Sequence, residues 1–376
     1  MKNLSRILCL LIILLSSITA DAFLLRVGLK ESVSKVTVSA TSYFDLIDMH
    51  TNRVILTTYG WRNYRIEAEN GGLSVEGVGT FYGPIILAPI SNASGKVDDR
   101  AYRGKLEISR TNGSRIMVVN IVDLEEYLYG VVKSEMSESF PIEALKAQAI
   151  IARTFALSNL KKHQDKGYHL CPTVCCQVYK GVSAESKITT AAVDQTLSLV
   201  LSYEGSLART YYHSCCGGKT APFIWNKQGE TSYLQSKNCP FCNHARNSSY
   251  SWTQRISFYE IQKAFNTGKI TNISVNEYDE SGRAKTILIC HGAGNSTINT
   301  NKFRNIMGYT RVKSTLFTLH NDGQGVVFNG KGYGHGVGLC QWGARGMAEA
   351  GYSFKEILGF YYSGVCLQKI VFEGEK

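Results

Sequence analysis

The chain has 376 residues, 44% of them hydrophobic and 19% charged, and a formal net charge of +11. This composition excludes a disordered chain and is ample for one large core or two smaller ones. The basic balance favours anionic partners such as nucleic acid, anionic lipid or acidic polysaccharide, but no Lys/Arg block of five or more marks a nucleic-acid tail.

Residues 1–22 read as a secretory signal. Lys2 and Arg6 form the basic start, Ile7 to Leu15 the apolar run, and Ala20-Asp21-Ala22 the small-residue cleavage site. The apolar run is short for a membrane span, although an uncleaved N-terminal anchor is the alternative reading. No second hydrophobic span follows. The mature protein is therefore expected outside the cytoplasmic membrane, periplasmic or elsewhere in the cell envelope, or tethered only at its N-terminus.

Residues 23 to about 120 are expected to be β-rich. Runs such as KVTVSATSYFDLID and SRIMVVNIV are rich in Val, Ile, Thr and Tyr. Asn112-Gly113 between two such runs marks a hairpin. Asp123 with Glu126 then has capping-box spacing, and Gly130 suits the residue after a short helix. That reading puts Glu135 in a connection between two helices. Pro141 suits the first turn of the next helix, and Ile142 to Leu157 is apolar round most of its circumference. Gln148 and Arg153 are then polar groups in a dry setting, and a buried guanidinium needs a carboxylate partner from protein or ligand. Further on, a helix and a hairpin around Glu204-Gly205 are expected. Ser353 with Glu356 is a second capping box.

Glu135 is the first candidate for chemistry. Its neighbours Val131, Val132, Met136 and Phe140 are apolar, and a desolvated carboxyl keeps its proton to higher pH, as a general acid must. A loop Glu beside a helix is more often structural, and Glu138 and Glu143 compete with it. Gly332, Gly334, Gly336 and Gly338 alternate along the chain without matching a nucleotide-binding pattern. They suit close approach by a ligand or by another strand. His335 lies among them, and Gln341-Trp342 follow, an aromatic beside polar donors such as a sugar cleft uses. The 11 cysteines include Cys9 in the signal and ten in the mature chain. Their even count suits disulfides. The clustering of Cys171, Cys175 and Cys176 with His163 and His169, and the Cys239-x-x-Cys242 pair after Cys215-Cys216, suits zinc.

Three stretches together resemble stage II sporulation protein D and the related amidase enhancers. They are GVVKSEMSESFPIEALKAQAIIARTFAL, then CCQVYKG with TLSLVLSYEGSLARTYYHSCCGGKT, then GKGYGHGVGLCQWGARGMAEAGYSFKEILGFYYSGV. They span roughly residues 100 to 370. The resemblance implies an α+β protein: a β-rich N-terminal region over 23–100, then a mixed α/β catalytic core over 101–370 with a central buried helix. It also implies a peptidoglycan lytic transglycosylase that cleaves the MurNAc-GlcNAc bond of denuded glycan strands and leaves 1,6-anhydro-MurNAc ends, in cell-wall remodelling or division. The catalytic Glu of the family matches Glu135. Arg153 and the Gly334-His335-Gly336 stretch match its other motifs; Arg153, to orient the acid or bind the lactyl carboxylate, is an expected substrate-binding residue together with Gln177, Tyr179, Tyr212, His335, Gln341 and Trp342. The chemistry needs no cofactor, because the sugar's own 6-hydroxyl replaces the second carboxylate. The resemblance implies a structural zinc on His169, Cys171 and Cys176, with His163 as the alternative ligand. Cys175, Cys216, Cys239 and Cys242 depart from the pattern, and Cys340 stands where the family commonly has Ser. The implied partners are glycan strands and a cell-wall amidase or other remodelling proteins, with no nucleic acid. The competing reading is a non-catalytic glycan-binding enhancer of an amidase.

Overall fold

The computed structural model describes residues 23–69, 71–223, 232–244 and 246–372. The signal-like segment at residues 1–22 lies outside the described residues. The N-terminal part is built from two six-stranded sheets whose buried faces share one core. Leu24–Val33 pairs antiparallel with Arg115–Asp123, which pairs in turn with Lys105–Thr111. Alternation along the strands sets the faces: in Lys105–Thr111, Leu106 and Ile108 point inward, and in Tyr64–Glu69, Tyr64 and Ile66 do. The Asn112-Gly113 signal is the expected hairpin, with Thr111 opposite Arg115. Both sheets draw on residues beyond position 100, so the β layer runs unbroken to Asp123.

Helix α1 (Leu124–Glu135) starts where the Asp123 carboxylate caps the N–H groups of Glu125 and Glu126. The helix does not end at Gly130. A Cβ there would lie 2.7 Å from the Tyr179 ring, so the glycine is needed for close packing inside the helix, and α1 runs on to Glu135. Glu135 is thus the last helical residue and not a loop residue.

Helix α2 (Ile142–Ser158) is buried nearly all round, between α1 and three later helices. Its thirteen buried residues form the centre of the main core, as the apolar pattern required. Helix α3 (Lys187–Asp194) follows, then the hairpin Leu199–Tyr203 and Ser206–Leu207, whose turn has positive φ at Glu204 and Gly205.

Residues 251–331 form a second core of their own around Ile256, Ile273, Phe303 and Phe328. They contain two three-stranded sheets with α4 (Phe258–Phe265) and α5 (Thr300–Met307). The chain then returns to the main core. Leu339–Cys340 pairs in parallel with Tyr212–His213, and α6 (Gln341–Glu349) begins directly after it. Helix α7 (Phe354–Tyr361) starts with the expected Ser353–Glu356 capping box. The alternating glycines admit protein rather than open space. A Cβ at Gly334 would meet the Cβ of His213 at 2.7 Å, and one at Gly338 would meet the carbonyl oxygen of Tyr211 at 2.1 Å.

Candidate active site around Glu135

Four segments converge on Glu135. It is half-buried at the C-terminal end of α1. The Val178 N–H donates to its Oε1 at 2.6 Å, and the Tyr212 hydroxyl donates to the same carboxyl. Gln341, the first residue of α6, donates from Nε2 to the Glu135 carbonyl oxygen at 3.0 Å. Burial raises the carboxyl above its usual range. The Val178 and Tyr212 hydrogen bonds and the nearby Lys180 charge oppose that shift without cancelling it. The negative end of the α1 dipole acts in the same direction as burial. This is an acid that holds its proton to higher pH than usual, yet is held in place by donors suited to its ionised form. Its competitors have other roles: Glu143 pairs with Lys146 at 2.7 Å and accepts the Phe354 N–H at 2.8 Å, while Glu138 lies 3.4 Å from Lys133.

Behind the acid runs a chain of polar groups. Gln177 is fully buried. It donates to the Tyr212 hydroxyl at 3.4 Å and accepts from the Tyr127 hydroxyl at 3.3 Å. Gln148, on α2, accepts from Gln341 at 3.4 Å, and its own Nε2 is buried with no partner among the described residues. His335 holds this wall through backbone contacts. Its Nδ1 accepts the Val337 N–H at 3.0 Å, so the proton resides on Nε2, which donates to the Tyr212 carbonyl at 3.0 Å. Burial brings its pKa down to about 4, and the ring stays neutral at ordinary pH. Both its nitrogens are engaged by backbone, so it straps the Tyr212 strand in place.

Two expected substrate-binding residues lie elsewhere. Arg153 has no exposed surface; it grips Glu125 through Nε at 2.7 Å and Nη2 at 2.6 Å, and donates to the Leu199 carbonyl at 2.9 Å. The carboxylate it required is this one, supplied by the protein itself. Tyr179 is also in the core, its hydroxyl bonded to Asn120 at 2.9 Å. Trp342 is half-buried and packs edge-on against Phe140, with the Arg345 guanidinium over both rings. Lys180, exposed beside the acid, and the Val178 N–H are contributors that residue-type reasoning passed over. Val178 offers only backbone, which no motif reveals. The dry setting of Gln148 was the sequence signal for its place here.

The cysteine loop that leads into Gln177 brings His163, Cys171, Cys175 and Cys176 together, with their ligand atoms all within 4.8 Å of one another. His163 Nε2 lies 3.4 Å from the Cys176 sulfur. Three thiols and one imidazole at this spacing fit a tetrahedral zinc. His169 is not in the set. Its Nδ1 accepts the Arg26 N–H at 3.1 Å, because the segment from His169 to Leu170 lies along the first strand. The ligand choice therefore shifts to the alternative His163, and Cys175 is added. No disulfide joins any of the ten cysteines among the described residues.

Two parts of the chain match known family models. The profile of the family described as stage II sporulation protein matches residues 112–203, which hold Glu135 and the His163 cluster. A domain of unknown function matches residues 224–338, which include the second core. An uncharacterized protein of Brachyspira hyodysenteriae is 33% identical over 300 residues, covering 78% of this chain and 79% of its own. Stage II sporulation protein D of Bacillus amyloliquefaciens is 32% identical, covering 66% of this chain and 74% of its own. The amidase enhancer of Bacillus subtilis is 28% identical across 81% of this chain, which spans half of that protein's length. The chain belongs to the stage II sporulation protein D family.

Proposed function

We propose that the protein is an exported lytic transglycosylase that cleaves the MurNAc-GlcNAc bond of denuded peptidoglycan strands in cell-wall remodelling. The observation that carries this reading is the Glu135 carboxyl, raised by burial while pinned by the Val178 N–H and the Tyr212 hydroxyl. Glu135 donates its proton to the glycosidic oxygen as the bond to the muramyl C1 breaks. The carboxylate so formed is stabilised by the same two donors. It then takes the proton of the muramyl 6-hydroxyl as that oxygen bonds to C1, which closes the anhydro ring and regenerates the acid. Lys180, exposed beside the acid, is placed to attract the lactyl carboxylate. The net charge of +11 suits an acidic polysaccharide.

His163, Cys171, Cys175 and Cys176 would hold a zinc with no open position, so the ion would brace the loop that presents Val178 and supply no Lewis acid. Among the described residues no helix is long and apolar enough to cross a membrane. The 28% identity to an amidase enhancer favours a second reading, glycan binding that stimulates an amidase partner without cleavage. Digestion of peptide-stripped and intact peptidoglycan separates the two. Anhydro ends detected by mass spectrometry, and their loss in Glu135→Gln, support the enzyme. Binding without anhydro products in the wild type sinks it.

A further inference from the structure

We propose that Cys216, Cys239, Cys242 and Cys340 hold a second metal ion, a structural zinc bound by four thiolates. Three separate parts of the chain supply the ligands. Cys216 follows the Tyr212–His213 strand, Cys239 caps and Cys242 ends the turn Pro240–Cys242, and Cys340 ends the Leu339–Cys340 strand as the N-cap of α6. The four sulfurs lie within 4.8 Å of one another, and all four residues are fully buried. Cys216 and Cys242 have their sulfurs 3.5 Å apart. That is well beyond a disulfide bond of about 2.05 Å. It is close to the edge of a tetrahedron with metal–sulfur bonds of about 2.3 Å, which is roughly 3.8 Å. A sulfur set of this size encloses one ion and leaves no room for a multi-iron cluster. Four sulfurs and no other donor select zinc among common divalent ions.

Two further features are explained by the ion. Thiolate sulfurs at metal sites are held by outer donors, and Cys340 accepts the N–H groups of Cys216 at 3.2 Å and Gly343 at 3.3 Å, while the Tyr361 hydroxyl lies 3.2 Å from Cys239. Arg283 reaches in from the second core, 2% exposed, and donates to the Cys216 carbonyl at 2.7 Å and the Lys219 carbonyl at 2.9 Å. Among the described residues its side chain has no carboxylate hydrogen-bond partner, and its Nε is unpaired. A buried guanidinium needs compensating negative charge, and a divalent ion with four thiolates carries two negative charges. The fifth thiol, Cys215, is buried beside the set but outside it and accepts from Asn247 at 3.2 Å. The ion would tie the Tyr212 strand to the start of α6, and so fix the wall that faces Glu135.

Metal analysis of the full chain, purified without added zinc or chelator, tests this. Two zinc equivalents per chain are expected. The Cys239→Ser/Cys242→Ser variant should lose one of the two, Cys171→Ser/Cys176→Ser the other, and Cys215→Ser neither. Should a double variant fail to fold, thiol titration of the wild-type chain after denaturation with chelator and no reductant still decides. All ten described cysteines titrating as thiols, with two zincs released, upholds the site. Four thiols missing as two disulfides overturns it. So does a single zinc that depends only on Cys171 and Cys176, or iron in place of zinc.

Discussion

The Nε2 of Gln341 donates to the carbonyl oxygen of Glu135 at 3.0 Å, joining the end of α1 to the start of α6 across 206 positions of sequence. This bond sets where the acid stands without touching its carboxyl. Gln341→Ala should therefore lower kcat, on the order of 100-fold for a small misplacement of the acid. KM should change little, since the binding residues remain. Steady-state rates on peptide-stripped glycan check this; a fall confined to KM would reassign Gln341 to substrate binding.

Tyr212 donates to the Glu135 carboxyl and thereby lowers a pKa that burial has raised. Glu135 must begin protonated, so activity falls as pH rises through its pKa. Tyr212→Phe removes a lowering influence and should move that limb to higher pH. Lys180→Met should move it in the same direction. A limb moving to lower pH in either variant contradicts the assigned roles.

The same raised carboxyl predicts a stability effect. Between the unfolded and folded pKa values of Glu135, the folded chain binds more protons than the unfolded one, so stability falls as pH rises. The contribution is intact below the unfolded pKa and lost above the folded one. Glu135→Gln should thus raise Tm at neutral pH, with the gain vanishing in acid. Thermal melts across pH test this independently of any substrate.

Arg153 and Glu125 form a pair in which Arg153 has no exposed side-chain surface and Glu125 has 15%. Removing one partner strands the other, which costs about 3–5 kcal/mol. Arg153→Ala should show that loss in denaturant unfolding. Unchanged stability with weakened glycan binding would instead give Arg153 a substrate-binding role.

His163 and His169 make a paired test of the first zinc set. His163→Ala should abolish or weaken one zinc equivalent, whereas His169→Ala should keep it, because His169 is engaged by the Arg26 backbone. Metal content after dialysis distinguishes the two.

Much of this fold could be read from local pattern. Alternation gave the strands around Leu106 and Ile108, and the apolar circumference of Ile142 to Leu157 gave the central helix. The acid at Glu135 was visible through its apolar neighbours. What could not be read was set by distant contacts. Gly130 looks like a helix end, yet the Tyr179 ring makes it an interior residue. Arg153 announces a need for a carboxylate but not that Glu125 supplies it. The two histidines near the cysteine loop are equivalent in sequence, and only the pairing of His169 with the first strand separates them. Cys340 joins Cys216, Cys239 and Cys242 only because the Leu339–Cys340 strand lies beside Tyr212–His213.

The second core also has a consequence for how such proteins diversify. Its first and last strands pair with each other, Ser251 opposite Lys331, so the chain leaves and rejoins the main body at neighbouring points. A segment bounded in this way can be lengthened, shortened or exchanged without moving the residues on either side of the junction. At its base lies a cavity of about 1000 Å³, lined in part by Lys219, Trp252, Phe317 and Lys331 and by none of the groups that touch Glu135. Relatives could thus alter what is gathered at that junction while inheriting the acid and its supports unchanged.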